Sequence, residues 1–357
     1  MTPRFTCGTA DVGAADAARA GGKAAALGEL ARAGMPVPRG YVVMVAAFGL
    51  HLDAADPSGA ARRALGSMPA DDLAGIASAA ADMRAKVTAV PLPSDVATEI
   101  TSGYAGLGAG PVAVRSSATL EDSPEASFAG LQDTYLAVRG GDAVLDRVRA
   151  CWASLYNDES VAYRRRQGIG EDGLAMGVVV QRMLSPRSAG VMFTRSPVSG
   201  DRSVVAIEAT WGLGSALVSG EVTPDSFTVS KVTGEITGRR VSVKLRAHSV
   251  TPNGQGTSAT PMPFALRRSA CLSDDEARAL AQTGRQVEDH YGAPQDIEWA
   301  LLGDSPGHPA LHADLADRIV LLQSRPETVW AARDRTPIAS PQVKASDHVL
   351  ARFRRAL

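Results

Sequence analysis

The pattern of apolar residues changes near residue 174 and divides the 357-residue chain into two unlike parts. Before this point helical and strand patterns alternate, with alanine-rich, proline-broken helical stretches between residues 54 and 106. After it, short Val- and Ile-rich strands follow one another between Gly/Pro turns, beginning with Leu174–Arg182. The change predicts an α+β chain with two domains, residues 1–174 and 175–330, and a polar tail over 331–357.

Local patterns in the second part predict several individual elements. Ser273–His290 is expected to be a helix, because Ser273 and Glu276 have the spacing of a capping box. Gln295–Leu301 alternates polar and apolar residues and is predicted to be a strand. The Gly, Ser, Thr and Asn content of Thr251–Thr260 predicts a loop.

The charge balance excludes several classes of protein. Lys+Arg total 37 and Asp+Glu total 38, and this net charge of −1 argues against a nucleic-acid-coating or membrane-surface protein. No apolar stretch approaches the roughly 20 residues of a membrane span, and the first 22 residues show no secretory signal. The three scattered cysteines are expected to be free thiols. We therefore expect a cytoplasmic protein with no nucleic-acid or membrane partner.

Standard phosphate-binding motifs are absent, since neither GxxxxGK[ST] nor GxGxxG occurs in the sequence. Gly21-Gly22-Lys23 nevertheless precedes a predicted helix, where backbone N–H groups and a lysine point charge can bind an anion. Lys23 is noticeable because the sequence contains only five lysines. A solvated lysine at a helix start is the alternative interpretation of the same residues.

The segment Pro111–Gly130 is a stronger candidate for a phosphate site. A buried strand pattern ends in Arg115-Ser116-Ser117 and runs into a polar, acidic loop that closes with Phe-Ala-Gly. A guanidinium can bind a phosphate through two parallel hydrogen bonds, and Gly130 allows a backbone to approach a ligand closely. An ordinary surface loop would explain the Ser, Asp and Glu content but not the Arg-Ser-Ser at the end of the strand.

Alternation along residues 296–299 places Asp296 and Glu298 on one strand face and the apolar Ile and Trp on the other. Gln323 and Arg325 share a strand face in the same way. A carboxylate and an amide oxygen at one cleft suit Mg²⁺, which completes its shell with water and phosphate oxygens. An arginine beside them would neutralise the charge of a phosphoryl group. The alternative is a solvent-facing hairpin edge.

Two other clusters are weaker candidates. His308 and His312 have a metal-ligand spacing near Asp314, but the prolines around them favour a loop with incidental histidines. Arg164–Arg166 is interpreted as a solvated helix face rather than a nucleic-acid-binding patch, because the net charge is close to zero.

Together these segments resemble the nucleotide-binding region of the phosphoenolpyruvate synthase, pyruvate phosphate dikinase and rifampicin phosphotransferase family. Each stretch alone is unspecific, but jointly and in the family's order they are highly specific. The matching stretches are Gly21–Lys23 with the following helix, Met35–Gly40, Val114–Ala118, Phe128–Gly130, Val180–Met183, Ala189–Thr194, Trp211–Gly214, Val218–Asp225, Asp296–Trp299 and Leu322–Pro326.

The resemblance implies an ATP-grasp fold, in which two subdomains clamp ATP. It also implies roles for residues of the first part of the chain. Lys23 and Arg115 would contact phosphates. Gly130 and Thr134 would lie against the nucleotide or its phosphates, and Gln181 would read the adenine edge.

For the second part, the resemblance implies a magnesium site and a transfer residue. Glu298 and Gln323 would hold Mg²⁺, and Arg325 would stabilise the transferring group. Members of the family split ATP into AMP and phosphate, and the β-phosphate passes first to a carrier histidine.

Three departures from the family's pattern affect the interpretation. Ala24 and Ala26 replace a Gly and an Asn in the family's Gly-Gly-Lys-Gly-Ala-Asn-Leu, and an insert over residues 303–317 separates Glu298 from Gln323. None of the six histidines lies in a Gly-rich Ser-His or Thr-His carrier segment.

Two functions follow as hypotheses. The first is an ATP-binding phosphotransferase subunit that phosphorylates a carrier histidine on a separate polypeptide, with pyruvate, an antibiotic hydroxyl or a phenol as possible final acceptor. The second is a non-catalytic ATP-binding module, either a degenerate paralogue or a sensor, for which the two alanines are the best support.

Overall fold

The computed structural model describes residues 5–119, 122–123, 126–127, 133–171, 173–303, 314–328 and 330. It contains both helices and strands, as predicted for an α+β chain. The helices are α1 (Ala17–Ala20), α2 (Gly22–Arg32), α3 (Val45–Ala55), α4 (Ala60–Ser67), α5 (Leu73–Ala89), α6 (Ser94–Gly106), α7 (Gly141–Ser154), α8 (Asp158–Gln167), α9 (Ser215–Val218), α10 (Asp274–Tyr291) and α11 (Leu315–Arg318). The strands are β1 (Thr6–Gly8), β2 (Gly40–Val43), β3 (Val112–Ala118), β4 (Asp122–Ser123), β5 (Ala126–Ser127), β6 (Thr134–Val138), β7 (Met176–Arg182), β8 (Ser188–Phe193), β9 (Val204–Trp211), β10 (Asp225–Ser230), β11 (Ile236–Arg240), β12 (Arg246–Val250), β13 (Thr257–Pro261), β14 (Gln295–Leu301) and β15 (Ile319–Pro326). Within the described ranges, no helix has both the length and the apolar character that a membrane span requires.

Two large antiparallel sheets contain most of the strands. The first has the strand order β1-β2-β7-β3-β6, and the second has the order β11-β10-β9-β8-β14-β15. The chain passes from one sheet to the other between Arg182 and Ser188. β7 therefore belongs to the first sheet, although its Val-rich pattern is like that of the later strands. The domain division at residue 174 stays a prediction, and the change of sheet lies a few residues beyond it.

The first sheet is covered on both faces. Val178 and Val180 of β7 pack into a large apolar cluster with side chains from α3, α5, α6 and α7. Val179 points to the opposite face and packs in a smaller cluster with Ala24 and Leu27 of α2. Because both faces are buried, β7 needs apolar side chains at nearly every position, which explains its continuous apolar pattern.

The second sheet packs against α10. The Ser273 hydroxyl accepts from the Glu276 backbone N–H at 3.3 Å, and the Glu276 carboxylate accepts from the Ser273 N–H at 2.8 Å, which confirms the predicted capping box. Leu280 of α10 lies in one apolar cluster with Ile297 and Trp299 of β14. The predicted alternation along this strand is therefore confirmed, with the apolar residues in the core.

The prediction of a loop over Thr251–Thr260 is wrong in its second half. β12 and β13 form an antiparallel hairpin from Arg246 opposite Pro261 to Val250 opposite Thr257. The side chains of β13 are mostly exposed, so neither face of the strand requires apolar residues. Without that requirement the strand has no alternating pattern by which sequence reasoning could find it.

The predicted solvated face at Arg164–Arg166 is wrong for its first residue. Arg164 is fully buried, and its guanidinium donates to the two carboxylate oxygens of Glu171 at 3.2 Å and 2.9 Å. It also donates to the Leu155 carbonyl at 2.7 Å. Arg164 is thus a structural residue that links α8 to the segments on either side of the helix, because a buried charge requires paired acceptors.

A close backbone approach sets the position of α2 on the first sheet. Gly21 precedes α2 with a φ of +86°, and a Cβ at this position would lie 1.8 Å from the Ser117 carbonyl oxygen of β3. The Ala24 backbone N–H donates to the Ser117 hydroxyl at 2.9 Å. The start of α2, which carries Lys23, is therefore held directly against β3.

We expect Gly21→Ala to destabilise the fold by about 3 kcal/mol or more, because its φ of +86° and ψ of 161° are essentially restricted to glycine, and this strain of about 1–3 kcal/mol is added to a backbone clash. Gly34→Ala is the matched control, since Gly34 has a φ of +74° but no atom within 4 Å of an added Cβ. The free energy of unfolding of Gly34→Ala should fall only by the cost of backbone strain, without the cost of a clash. Urea unfolding of both variants measures the difference. Equal destabilisation would contradict the role of the close approach.

Candidate functional site

A cleft of about 370 Å³ lies between the two sheets. Its walls are mainly apolar and include Leu136 of β6, Met183 and Leu184 of the connection between the sheets, and Leu213 and Val218 on the second-sheet side. A largely apolar cleft with a few converging polar groups is typical of a small-molecule site.

Arg115 joins the two sheets at the polar end of this cleft. The residue lies in the middle of β3, which continues to Ala118, so the predicted strand end at Arg115 is wrong. Arg115 is 8% exposed. Its Nη1 donates to the Leu322 carbonyl at 2.7 Å. Its Nη2 donates to Glu298 Oε2 at 2.8 Å and to Gln323 Oε1 at 3.0 Å. One guanidinium from the first sheet thus binds three acceptors on two neighbouring strands of the second.

A β-bulge in β15 shapes this contact. Gln323 lies opposite Glu298 in the pairing of β14 with β15, whereas Leu322 has no opposite residue before the pairing resumes at Leu321. The carbonyl of the bulged residue is the one that accepts from Arg115. Although residues 303–317 are inserted between the two strands, the pairing keeps the carboxylate and the amide side by side.

The cations around Glu298 keep its carboxylate ionised. Burial raises its pKa, but Arg115 and then Lys23 outweigh this effect and hold the pKa of the carboxyl below its usual range, with a further contribution from Arg325. The side chain is nevertheless 34% exposed. Glu298 is therefore a charged group that a ligand in the cleft can reach.

Lys23 belongs to the same group of charges. It lies in the first turn of α2, is 6% exposed, and donates from Nζ to the Ser116 carbonyl of β3 at 2.7 Å. The alternative interpretation of a solvated lysine is therefore wrong. Its acceptor Ser116 is the chain neighbour of Arg115, so the predicted helix-start lysine lies near the polar end of the cleft, where its charge also lowers the pKa of Glu298.

Asp296 and Arg325 form a second pair on the same strands, two residues from Glu298 and Gln323. Arg325 Nε donates to Asp296 Oδ2 at 2.8 Å, and Nη2 lies 2.6 Å from the same oxygen. The arginine side chain is 37% exposed and the aspartate only 15%. Burial raises the pKa of Asp296, and the charge of Arg325 opposes that rise. The predicted shared faces of both strands are confirmed.

Gln181 and Thr134 line the cleft from the first sheet. Gln181 is buried at 2% exposure and donates from Nε2 to the Pro38 carbonyl at 3.4 Å. Thr134 is exposed and lies opposite Arg115 in the pairing of β6 with β3. Gly130, the remaining predicted site residue, lies outside the described residues.

Sequence reasoning missed the apolar walls of the cleft and one polar group on them. Leu136, Met183 and Leu184 have no individual signal, although the last two follow directly after Gln181-Arg182 where the chain changes sheets. Ser215 also lines the cleft. These residues can be identified as cleft walls only once the packing of the two sheets is known, because the opposite side of the cleft belongs to the other sheet.

The donor set at the polar end fits a magnesium ion. Glu298 Oε2 and Gln323 Oε1 both lie within 3.0 Å of one nitrogen of Arg115, so they converge on a single cationic group. Mg²⁺ prefers such oxygen ligands and takes the rest of its shell from water and phosphates. Among the residues that the structure describes, no group of three or more His, Cys, Asp or Glu could hold a metal ion. His308 and His312 lie outside those residues.

Comparison with known proteins finds a matching family and several relatives. A family model described as pyruvate phosphate dikinase, AMP/ATP-binding domain, matches residues 17–345. A rifampicin phosphotransferase of a Streptomyces species is 46% identical over 307 residues, which cover 85% of this chain and 35% of that protein. A probable phosphoenolpyruvate synthase of Methanothermobacter thermautotrophicus is 39% identical over 341 residues, which cover 93% and 47%. The chain thus spans less than half the length of either relative.

Arg115→Met should destabilise the chain by about 2 kcal/mol at neutral pH, because charged hydrogen bonds are lost. The pKa of Glu298 is depressed in the folded state. The ionic part of this contribution is therefore present above the unfolded pKa of about 4.3 and is lost as the pH falls through the lower folded value. Urea unfolding at a series of pH values should show the difference between wild type and variant shrinking toward the acid end.

Arg278→Met is the control for this prediction. It removes an exposed arginine that is paired with Asp275 within one helix turn, and exposed pairs of this kind contribute about 0.5 kcal/mol or less. If the loss of stability in the Arg115 variant did not change between neutral and acid pH, the contact with an ionised Glu298 would be contradicted.

Proposed function

Since the chain belongs to the pyruvate phosphate dikinase AMP/ATP-binding domain family, we propose that it is the ATP-binding part of a phosphotransferase. The observation that carries the proposal is the bridge from Arg115 to Glu298 and Gln323. It places a guanidinium, a carboxylate and an amide from two sheets at one end of a cleft that is otherwise apolar. We propose that the fold is an ATP-grasp fold and that the sheets are the two halves of its clamp.

In this proposal ATP lies along the cleft with its base among the apolar walls and its phosphates at the charged end. Met183 and Leu184 in the connection between the sheets offer apolar surface to the base. Gln181, buried beside them, is proposed to read the adenine edge. Thr134 lies opposite Arg115 and is proposed to contact the nucleotide, and so is Gly130 on the basis of the family resemblance.

The charges of the site suit a polyphosphate. Lys23, Arg115 and Arg325 all act on the carboxylate of Glu298, and Arg325 is also paired with Asp296, so three cations face two carboxylates. The excess of positive charge would offset the charge of the phosphates. Arg325 is the most exposed of the three and is proposed to stabilise the transferring group. Glu298 and Gln323 would hold Mg²⁺, which when bound neutralises phosphate oxygens.

We propose that ATP is split into AMP and phosphate, with the β-phosphoryl group passing to a carrier histidine and the γ-phosphoryl group to water. None of the six histidines of this sequence lies in a Gly-rich Ser-His or Thr-His segment, so the proposed carrier is a subunit or domain outside these 357 residues. The replacement at Ala24 does not favour a non-catalytic module, because its backbone N–H remains bonded to Ser117 and the neighbouring Lys23 is in contact with β3.

ATP binding is tested by calorimetry with the Lys23→Met variant. Removing a charged phosphate contact should weaken ATP binding about tenfold or more, because such contacts contribute about 1.5–3 kcal/mol. Lys86→Met is the matched control, since Lys86 is exposed on α5. Mg-ATP at about 100 times its Kd should also stabilise the wild type by about 2.7 kcal/mol. A wild-type stability that saturating Mg-ATP leaves unchanged would refute the proposal.

The reaction is tested by incubating the chain with Mg-ATP and a candidate histidine-carrier polypeptide, and by separating the nucleotide products. AMP is the expected product, and Arg325→Met should slow its formation about 100-fold or more while ATP affinity changes much less. Formation of ADP instead of AMP would contradict the proposed splitting. Tight ATP binding without turnover by any carrier would favour the non-catalytic module.

A further inference from the structure

Three side chains outside the predicted site form a hydrogen-bonded series that ends in the cleft. Ser215, the first residue of α9, lines the cleft, and its hydroxyl lies 2.9 Å from His248 Nδ1. His248 Nε2 lies 3.2 Å from Glu221 Oε2. The other carboxylate oxygen, Oε1, accepts from the Ser219 hydroxyl at 3.0 Å. We call this arrangement of Ser215, His248 and Glu221 the Ser–His–Glu series.

The backbone fixes the imidazole at this place. The Leu213 N–H donates to the His248 carbonyl at 2.9 Å, which ties β12 to the segment that follows β9. Gly212 has a φ of +70°, and a Cβ there would lie 2.3 Å from the same carbonyl oxygen. The histidine side chain is only 14% exposed. The ring is therefore held between Ser215 and Glu221 by contacts of its own backbone.

The series determines which way the Ser215 hydroxyl points. The hydrogen bond from His248 is the largest cause that holds the pKa of Glu221 below its usual range, and the bond from Ser219 adds to it. An ionised carboxylate can only accept, so His248 Nε2 carries a proton. A ring that carries its single proton on Nε2 has only a lone pair at Nδ1, and the Ser215 hydroxyl, 2.9 Å away, donates to that lone pair.

A serine that donates inward presents an acceptor to the cleft. Its oxygen lone pairs remain available, while its only proton is engaged by His248. Ionised phosphate oxygens are acceptors too, so they are poor partners for such a group. The matching ligand group is a donor, and the ribose hydroxyls of a ribonucleotide are donors of this kind.

Ser215 lies on the second-sheet side of the cleft, beside the start of β8. A Cβ on the preceding Gly214 would lie 3.7 Å from Ala189 Cβ and 3.9 Å from Gly190 N. These residues lie near the start of β8, and Gly190 is one residue from the position opposite Glu298 in β14. Ser215 follows directly after Gly214 and lines the same cleft as Glu298, Met183 and Leu184, so it is within the space that a nucleotide along the cleft would occupy.

We propose that Ser215 accepts a hydrogen bond from a ribose hydroxyl of the bound nucleotide, so that the cleft selects ribonucleotides over deoxyribonucleotides. His248 and Glu221 are positioning residues that act through the direction of the Ser215 hydroxyl. This inference rests on the proposed binding of ATP and adds a sugar contact to it.

The test is a calorimetric comparison of ATP, 2′-deoxy-ATP and 3′-deoxy-ATP, each with Mg²⁺. The wild type should bind one of the deoxy analogues about three- to tenfold more weakly than ATP, as expected for loss of one hydrogen bond. Ser215→Ala should weaken ATP binding to the level of that analogue and leave the analogue's own affinity unchanged. Ser258→Ala, on β13 of the neighbouring hairpin and not on the cleft, should keep the wild-type preference.

Two variants of His248 separate positioning from general structural damage. His248→Asn places an amide oxygen near the position of Nδ1 and should retain the preference for ATP, whereas His248→Phe removes the acceptor and should lose it. The readout is the ratio of the two affinities, because damage to the fold would weaken all three nucleotides together.

Each outcome bears on a different statement. Equal binding of the three nucleotides by the wild type, or a preserved preference in Ser215→Ala, overturns the sugar contact and leaves ATP binding intact. Failure of the wild type to bind any of the three overturns both the sugar contact and the proposed function.

Discussion

One guanidinium defines the geometry of the cleft. Arg115 lies on β3 of the first sheet, yet its acceptors within the described residues, Leu322, Glu298 and Gln323, belong to the second sheet. Its Nε has no partner within the described part of the chain, so the two terminal nitrogens make these contacts. Because a buried charge is costly without acceptors, the position of one sheet is tied to that of the other.

The contact of Arg115 with Glu298 also contributes to keeping the Glu298 carboxylate ionised. Glu298 stays ionised because cations from three separate elements, Lys23 of α2, Arg115 of β3 and Arg325 of β15, act on it together. Each cation is also anchored by a protein oxygen, as when Lys23 donates to the Ser116 carbonyl. The charged end is therefore organised before any ligand enters, which limits the entropy lost on binding.

Sequence reasoning succeeded where a pattern depends on neighbouring residues. The capping box at Ser273 and the alternation over Gln295–Leu301 are local, so composition and spacing suffice to find them. It failed where a strand has no buried face or where a charged residue is buried. β13 is a strand with mostly exposed side chains, and Arg164 is buried because Glu171, beyond the end of its helix, supplies the acceptors. No periodicity within a segment reports such a partner.

For the site, the amino-acid sequence by itself determined the chemical types that are available: a lysine at a helix start, an arginine in a buried strand, and a carboxylate and an amide on strands with alternating polar and apolar residues. Only the tertiary structure decided which of them meet. Arg115 and Glu298 are 183 residues apart, and their contact requires the packing of two sheets and a bulge at Leu322. Likewise the Ser215 hydroxyl is oriented by His248, which lies on the separate hairpin of β12 and β13. Such contacts are set by the packing of distant segments, and local sequence patterns do not encode that packing.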